Sequence, residues 1–150
     1  MADQEGPRVA IEEMELTVII LDDDEQVLEE MTEYLRAATR NRWTVLPTST
    51  SSECLDTIAN NDPHVIIVDE QLFGDEMQGH QVLRKLFTER PKGAALPILV
   101  LLTVLPRRHF TAYGWPLGDV FVHKADFARD PQLLFEKIRE RYQHVPGAGA

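Results

Sequence analysis

TVIILDDDEQVLEEM occupies residues 17–31. Its apolar run, Val18 to Leu21, stops at three consecutive carboxylates, Asp22, Asp23 and Asp24. An unbroken apolar run of this length fits a strand buried on both faces. Like charges at the end of such a strand repel one another, and burial opposes their ionisation. A chain that keeps them there needs a compensating cation. Asp24 is also placed to cap the next helix, with Glu25 in its first turn. Over residues 25–38 that helix carries Val27, Leu28, Met31, Tyr34 and Leu35 on one stripe.

The alternation continues along the chain. WTVLPTS reads as a second, weaker strand, followed by SECLDTIANN as a helix capped by Ser51 or Ser52. HVIIVD is a third strand, and QGHQVLRKLFTER a helix facing inward through Val82, Leu83 and Leu86. PILVLLT is a fourth strand and VFVHK a short fifth that ends in Lys124. The last helix is expected to start with Asp130 as cap and Pro131 at its first position, and to run through QLLFEKIRERYQ. Alternating strands and helices predict an α/β fold: a doubly wound, five-stranded parallel sheet in the order 2-1-3-4-5, with helices on both faces. Ligands of such sheets bind outside the carboxyl ends of the strands, here between strands one and three. One domain is expected over residues 16–143, with flexible tails at 1–15 and 144–150.

Composition narrows the partners. The chain has 150 residues, 43% hydrophobic and 27% charged, with a formal net charge of -10. That balance fills one core and disfavours nucleic acid, whose phosphates need clustered Lys and Arg. The single cysteine, Cys54, reads as a packed apolar residue and precludes an intrachain disulfide. No apolar run is long enough to span a bilayer, and the start lacks the pattern of a signal peptide, so a cytoplasmic protein without a membrane partner is expected. The histidines are scattered without metal-ligand spacing, and His123 reads as a strand residue facing a helix.

The strand ends carry the chemistry. Strand one ends in Asp22-Asp23-Asp24, strand three in Asp69, strand four in Thr103 and strand five in Lys124. This set, on IILDDD, HVIIVD, PILVLLT and VFVHK with Gly79 before the third helix, resembles a response-regulator receiver domain of two-component signalling over about residues 16–143. The resemblance implies roles position by position. Asp69 matches the aspartate that accepts a phosphoryl group. Asp22 and Asp23 match the acidic pair that holds Mg²⁺ together with Asp69 and the backbone carbonyl of Gln71. Lys124 matches the lysine that pairs with the phosphoryl oxygens, Thr103 the switch hydroxyl, and Phe121 the aromatic switch position. Gln71 and Val104 occupy positions that modulate access. The implied donor is a histidine kinase or a histidine phosphotransfer protein. The implied output is a changed face formed by the helix between strands four and five, strand five and the last helix. A stand-alone receiver is expected to act through another, unknown downstream protein, by homodimerisation or by relaying the phosphoryl group. The residue chemistry agrees: crowded carboxylates favour a hard cation with oxygen ligands, and phosphoryl transfer needs mainly positioning and charge neutralisation.

The chain departs from the usual receiver pattern in places. After Asp69, EQLFGDEMQG lacks a proline and is about two residues longer before Gly79, and Glu70, Asp75 and Glu76 read as solvated loop acids. Val104 stands where a small residue is usual. Ala125 stands where proline usually follows the lysine with a cis bond; cis before alanine would cost ~3 kcal/mol, so trans is expected. Gly114 and Pro116 are expected to shorten the helix after strand four and leave Trp115 exposed. Two alternatives follow: a degenerate receiver binding partners without phosphorylation, and a phosphatase of the haloacid-dehalogenase type using Asp22-x-Asp24. The second lacks a residue of that motif at Gln26 and leaves Asp69 without a task.

Overall fold

The computed structural model describes residues 10–91, 93–113 and 118–143. Strand β1 (Thr17–Leu21) has Val18 to Leu21 buried. It pairs in parallel with β2 (Thr44–Thr48) on one side and β3 (Val65–Val68) on the other. β4 (Ile98–Thr103) and β5 (Val120–His123) complete a five-stranded sheet in the order β2-β1-β3-β4-β5. Central β3 and β4 are buried along their whole length, as their unbroken apolar runs require. The edges are less apolar. β2 carries Pro47, which an edge strand tolerates because one side of it needs no donor.

The two-residue period of a strand splits the core in two. Val18, Ile20, Ile67 and Val100 face α1 (Glu25–Ala38) and α5 (Gln132–Tyr142). Ile19, Leu21, Ile66 and Leu101 face α2 (Ser51–Asn61) and α3 (Gly79–Glu89). Asp24 caps α1 as expected, accepting from the Gln26 and Val27 N–H groups. α2 is capped by Thr50, one residue before the expected serines, because the Thr50 hydroxyl accepts from Glu53 N–H. At α5 the cap position falls on Pro131, and Asp130 contributes its backbone carbonyl to Leu133 N–H.

Three further segments differ from expectation. Residues 11–15, expected in a flexible tail, join the folded part: Ile11–Glu13 is a 3₁₀ helix and Ile11 is fully buried. The reason is Trp43, whose indole N–H donates to the Ile11 carbonyl at 2.8 Å while its ring packs on Phe135. The helix expected after β4 is a 3₁₀ helix, Arg107–Tyr113; Gly114, Trp115 and Pro116 lie outside the described residues. A short helix that the sequence reading missed, α4 (Lys124–Arg129), follows β5, so β5 ends at His123 and Lys124 opens the helix.

The short edge strand β5 is tied down by a buried ion network. Asp119 takes both Arg90 Nη atoms at 2.8 and 3.2 Å, Arg141 Nη2 at 3.0 Å and the Leu99 N–H at 2.9 Å. Gly118 just before it has φ +78°, and a Cβ there would meet the Leu99 carbonyl at 2.7 Å.

Trp43→Phe is expected to remove the tie to Ile11 and leave a small void. The measured loss in urea unfolding should be about 1–2 kcal/mol, with the slope against urea unchanged.

Candidate functional site

The register of the sheet sets the site. Leu21 pairs with Val68, so Asp22 and Asp69, one residue on, emerge side by side. The Asp69 N–H donates to the Leu21 carbonyl at 2.9 Å, which fixes the two ends against each other. Thr103 pairs with His123 across β4 and β5, so Lys124 leaves the sheet at the same edge.

These groups meet. One carboxylate oxygen each of Asp22, Asp23 and Asp69 lies within 4.8 Å of the others. Lys124 Nζ is 3.0 Å from Asp22 Oδ2 and 3.2 Å from Asp69 Oδ1. Asp22 and Asp69 are buried, while Asp23 is half-buried and opens the cluster toward solvent. Three carboxylates against one ammonium leave two negative charges without a partner of opposite sign within the cluster. Burial dominates the acidity of the central carboxylate. The Asp69 carboxyl is pushed up from 3.8 to about 6, chiefly by burial, with Lys124 pulling it down and Asp22 and Asp23 adding smaller upward pushes. Burial lowers the Lys124 ammonium, but Asp69 and Asp22 outweigh it and the net shift is upward. The donors are all hard carboxylate oxygens, the set that suits Mg²⁺ rather than a thiolate-seeking metal.

The remaining predicted residues lie on β4, on β5 and on the loops that follow β3 and β4. Thr103 is fully buried, and its hydroxyl accepts from Leu105 N–H at 3.2 Å. Val104 is 52% exposed and Phe73 is 80% exposed; both lie on loops that leave the strand ends bearing Thr103 and Asp69. Gln71 is half-buried, two residues beyond Asp69. Phe121 is half-buried on β5, with its ring 6.0 Å from Phe110 and the Arg107 guanidinium 5.5 Å from its centre. The peptide after Lys124 is trans, as expected. Asp24, occupied as the α1 cap, is not one of the three convergent carboxylates.

The response regulator receiver domain family matches residues 18–105, more than half of the chain. The chain belongs to that family. Among solved structures it is similar to a putative response regulator from Chloroflexus aurantiacus, at 25% identity and TM-score 0.67, covering 84% of this chain and 96% of that one. A CheY-like receiver domain protein from Methanospirillum hungatei is 24% identical with TM-score 0.67, over 84% of this chain and 92% of that one. A response regulator from Thermotoga maritima, solved with Mg²⁺ and BeF, is 17% identical with TM-score 0.66, over 84% and 98%. No curated protein matches the chain. No helix among the described residues is long and apolar enough to cross a membrane.

Within this receiver the loop after β3 is built more firmly than its sequence suggested. Glu70, expected in solvent, is 5% exposed. Its carboxylate meets both the backbone N–H and Nδ1 of His80, each at 2.6 Å, at the start of α3. Asp75, also expected in solvent, accepts from the Ser51 N–H at 2.7 Å and from the Ser51 hydroxyl. Burial raises the pKa of Asp75, but those bonds outweigh it and hold the carboxyl below its ordinary value. Glu76 is exposed as expected. The Gln78 side chain brackets Leu72, accepting from its N–H at 3.0 Å and donating to its carbonyl at 2.9 Å. Phe73 N–H donates to Asp23 Oδ2 at 2.9 Å, linking this loop to the acidic cluster. Gly79 is required by close approach, since a Cβ would fall 2.1 Å from the Asp69 carbonyl. The signal for these ties was present only as polar residues at loop positions, which do not name their partners.

Because its folded-state value is raised, the Asp69 carboxylate costs stability above about pH 6, and the cost vanishes as pH falls toward 3.8. Asp69→Asn is therefore expected to stabilise the metal-free protein at pH 7–8 by about 1–2 kcal/mol. The gain should shrink below about pH 6, where wild-type Asp69 takes up its proton. Urea unfolding of both proteins across this range checks it.

Proposed function

We propose that this receiver accepts a phosphoryl group on Asp69 from a phosphohistidine of a histidine kinase or histidine phosphotransfer protein. The observation that carries the reading is the convergence of Asp69 with Asp22, Asp23 and Lys124, the last reaching both Asp22 and Asp69. The donor set suits a divalent cation held by Asp22, Asp23, Asp69 and the Gln71 carbonyl. A bound Mg²⁺ supplies positive charge to the phosphoryl oxygens during transfer.

The step itself needs little from the protein beyond position. A carboxylate oxygen of Asp69 forms a bond to phosphorus as the N–P bond of the donor breaks, and the electron pair of that bond returns to the imidazole. The product is an acyl phosphate. Lys124 pairs with a phosphoryl oxygen, exchanging its contact with Asp69 for one with the new group. Thr103 donates its hydroxyl hydrogen to another phosphoryl oxygen, and its movement gives Phe121 room to turn inward. Phe121 borders a groove of about 300 Å³ with Arg107, Lys137, Glu140 and Arg141. That groove lies on the surface through which a changed state reaches a downstream protein. The local charge change thus biases a two-state face. The phosphatase reading is disfavoured because its second aspartate, Asp24, is committed to capping α1.

Intact-mass spectrometry after incubation with acetyl phosphate and Mg²⁺ tests the proposal. One phosphoryl adduct is expected on wild type, and none on Asp69→Asn or without the metal. An adduct retained on Asp69→Asn would move the acceptor elsewhere. The metal assignment has its own check. Mg²⁺ should raise the melting temperature of wild type and leave that of Asp23→Asn nearly unchanged; a wild type indifferent to Mg²⁺ would overturn it.

A further inference from the structure

His123 stands at the same sheet edge without a task in the phosphoryl chemistry. Its ring makes two bonds of opposite sense. Nδ1 lies 3.1 Å from the Ala125 nitrogen, whose N–H is a donor, so Nδ1 accepts. Nε2 lies 2.7 Å from the Val104 carbonyl, which only accepts, so Nε2 donates. The two partners together select the neutral ring with its hydrogen on Nε2.

Both partners border the site. Ala125 N–H belongs to the first turn of α4, the helix that begins with Lys124. Val104 is the first residue after Thr103 and leads the loop away from β4. α4 has six residues and buries none of them fully, so its length gives its first turn little hold; Lys124 is tied to Asp22 and Asp69, and Phe127 packs on Tyr34. The backbone N–H at the start of the turn takes a side-chain cap, and His123 supplies it. The peptide after Lys124 is trans and is followed by alanine, so no ring constrains the chain there.

We propose that His123 is a positioning residue that aims Lys124 at the acidic cluster and fixes its spacing from Thr103, by capping α4 with one ring nitrogen and gripping the Val104 carbonyl with the other. These two hydrogen bonds stand where this chain has alanine in place of the usual proline after the lysine. The inference rests on the reading of Lys124 as the phosphoryl partner, and its test separates the two.

Three variants of the full chain divide the contacts. His123→Ala removes both. His123→Asn keeps an acceptor near the Nδ1 position, and asparagine is among the best helix caps. His123→Gln keeps a donor near the Nε2 position without the cap. The first readout is the acylation rate of Lys124 by acetic anhydride in metal-free protein, relative to Lys85 and Lys137 and mapped by mass spectrometry. The second is the rate of adduct formation from acetyl phosphate with Mg²⁺. Circular dichroism confirms that each variant is folded.

His123→Ala is expected to speed Lys124 acylation roughly fivefold and to slow adduct formation by a similar factor, the scale of one lost cap. His123→Asn should restore most of the protection, and His123→Gln less. Should His123→Ala not fold, the Asn-to-Gln difference gives the same reading. Lys124 protection at the wild-type level in His123→Ala, or equal protection in the Asn and Gln variants, would overturn the positioning role. An acylation pattern as expected, with no adduct on wild type, would uphold the positioning role and remove the phosphoryl-acceptor reading instead.

Discussion

The constraint on which the rest of the structure depends is incomplete charge compensation. Three carboxylates converge at the ends of β1 and β3, and one ammonium, Lys124, faces them. Two of the carboxylates are buried, so water screens their repulsion poorly. An apolar end to β1 would fold with less opposition. The sheet tolerates the cluster because its central strands bury unbroken apolar runs and because backbone bonds such as Asp69 N–H to Leu21 fix the strand ends. On the proposed function, that remaining imbalance is what a divalent cation and a charge-bearing ligand would offset.

Around that centre the chain replaces family devices with its own. The longer loop after β3 has no proline. Leu72 is held by Gln78, Asp75 by Ser51 and Glu70 by His80. The loop also touches the cluster through Phe73 N–H and Asp23. The alanine after Lys124 is accompanied by a histidine just before it that bonds on both sides of the site. The altered loop after β3 and the alanine after Lys124 are thus each matched by specific polar contacts nearby.

How much of this was legible follows from the range of each interaction. The sheet order was legible, because IIL, VIIV and ILVLL are local apolar runs and parallel crossovers leave few topologies. The convergence of Asp22, Asp69 and Lys124 was legible for the same reason, since strand ends share an edge once the order is known. The Asp24 cap needs only neighbours in sequence, and it was read correctly. The ties of Glu70 to His80, Asp75 to Ser51 and Trp43 to Ile11 were not read. Each joins polar or aromatic groups across 10 or more positions, and a loop acid carries no mark of burial in its own sequence. α4 was missed because six residues with no buried position show no periodicity. The 3₁₀ form of Arg107–Tyr113 differs from the expected α-helix at the segment where Gly114 and Pro116 already argued against a long one.

The central property of the site is that burial makes ionisation of Asp69 costly within a carboxylate cluster that a divalent cation could relieve. Carboxyl carbon-13 NMR of Asp69 in the metal-free protein measures this directly, through the pH at which that one side chain titrates. The account predicts a midpoint at about 6, set by burial and by Asp22 and Asp23 against Lys124, and a fall in that midpoint when Mg²⁺ is added. A midpoint at the ordinary 3.8 with no response to Mg²⁺ would contradict it, because ionisation of Asp69 would then carry no cost for a divalent cation to relieve.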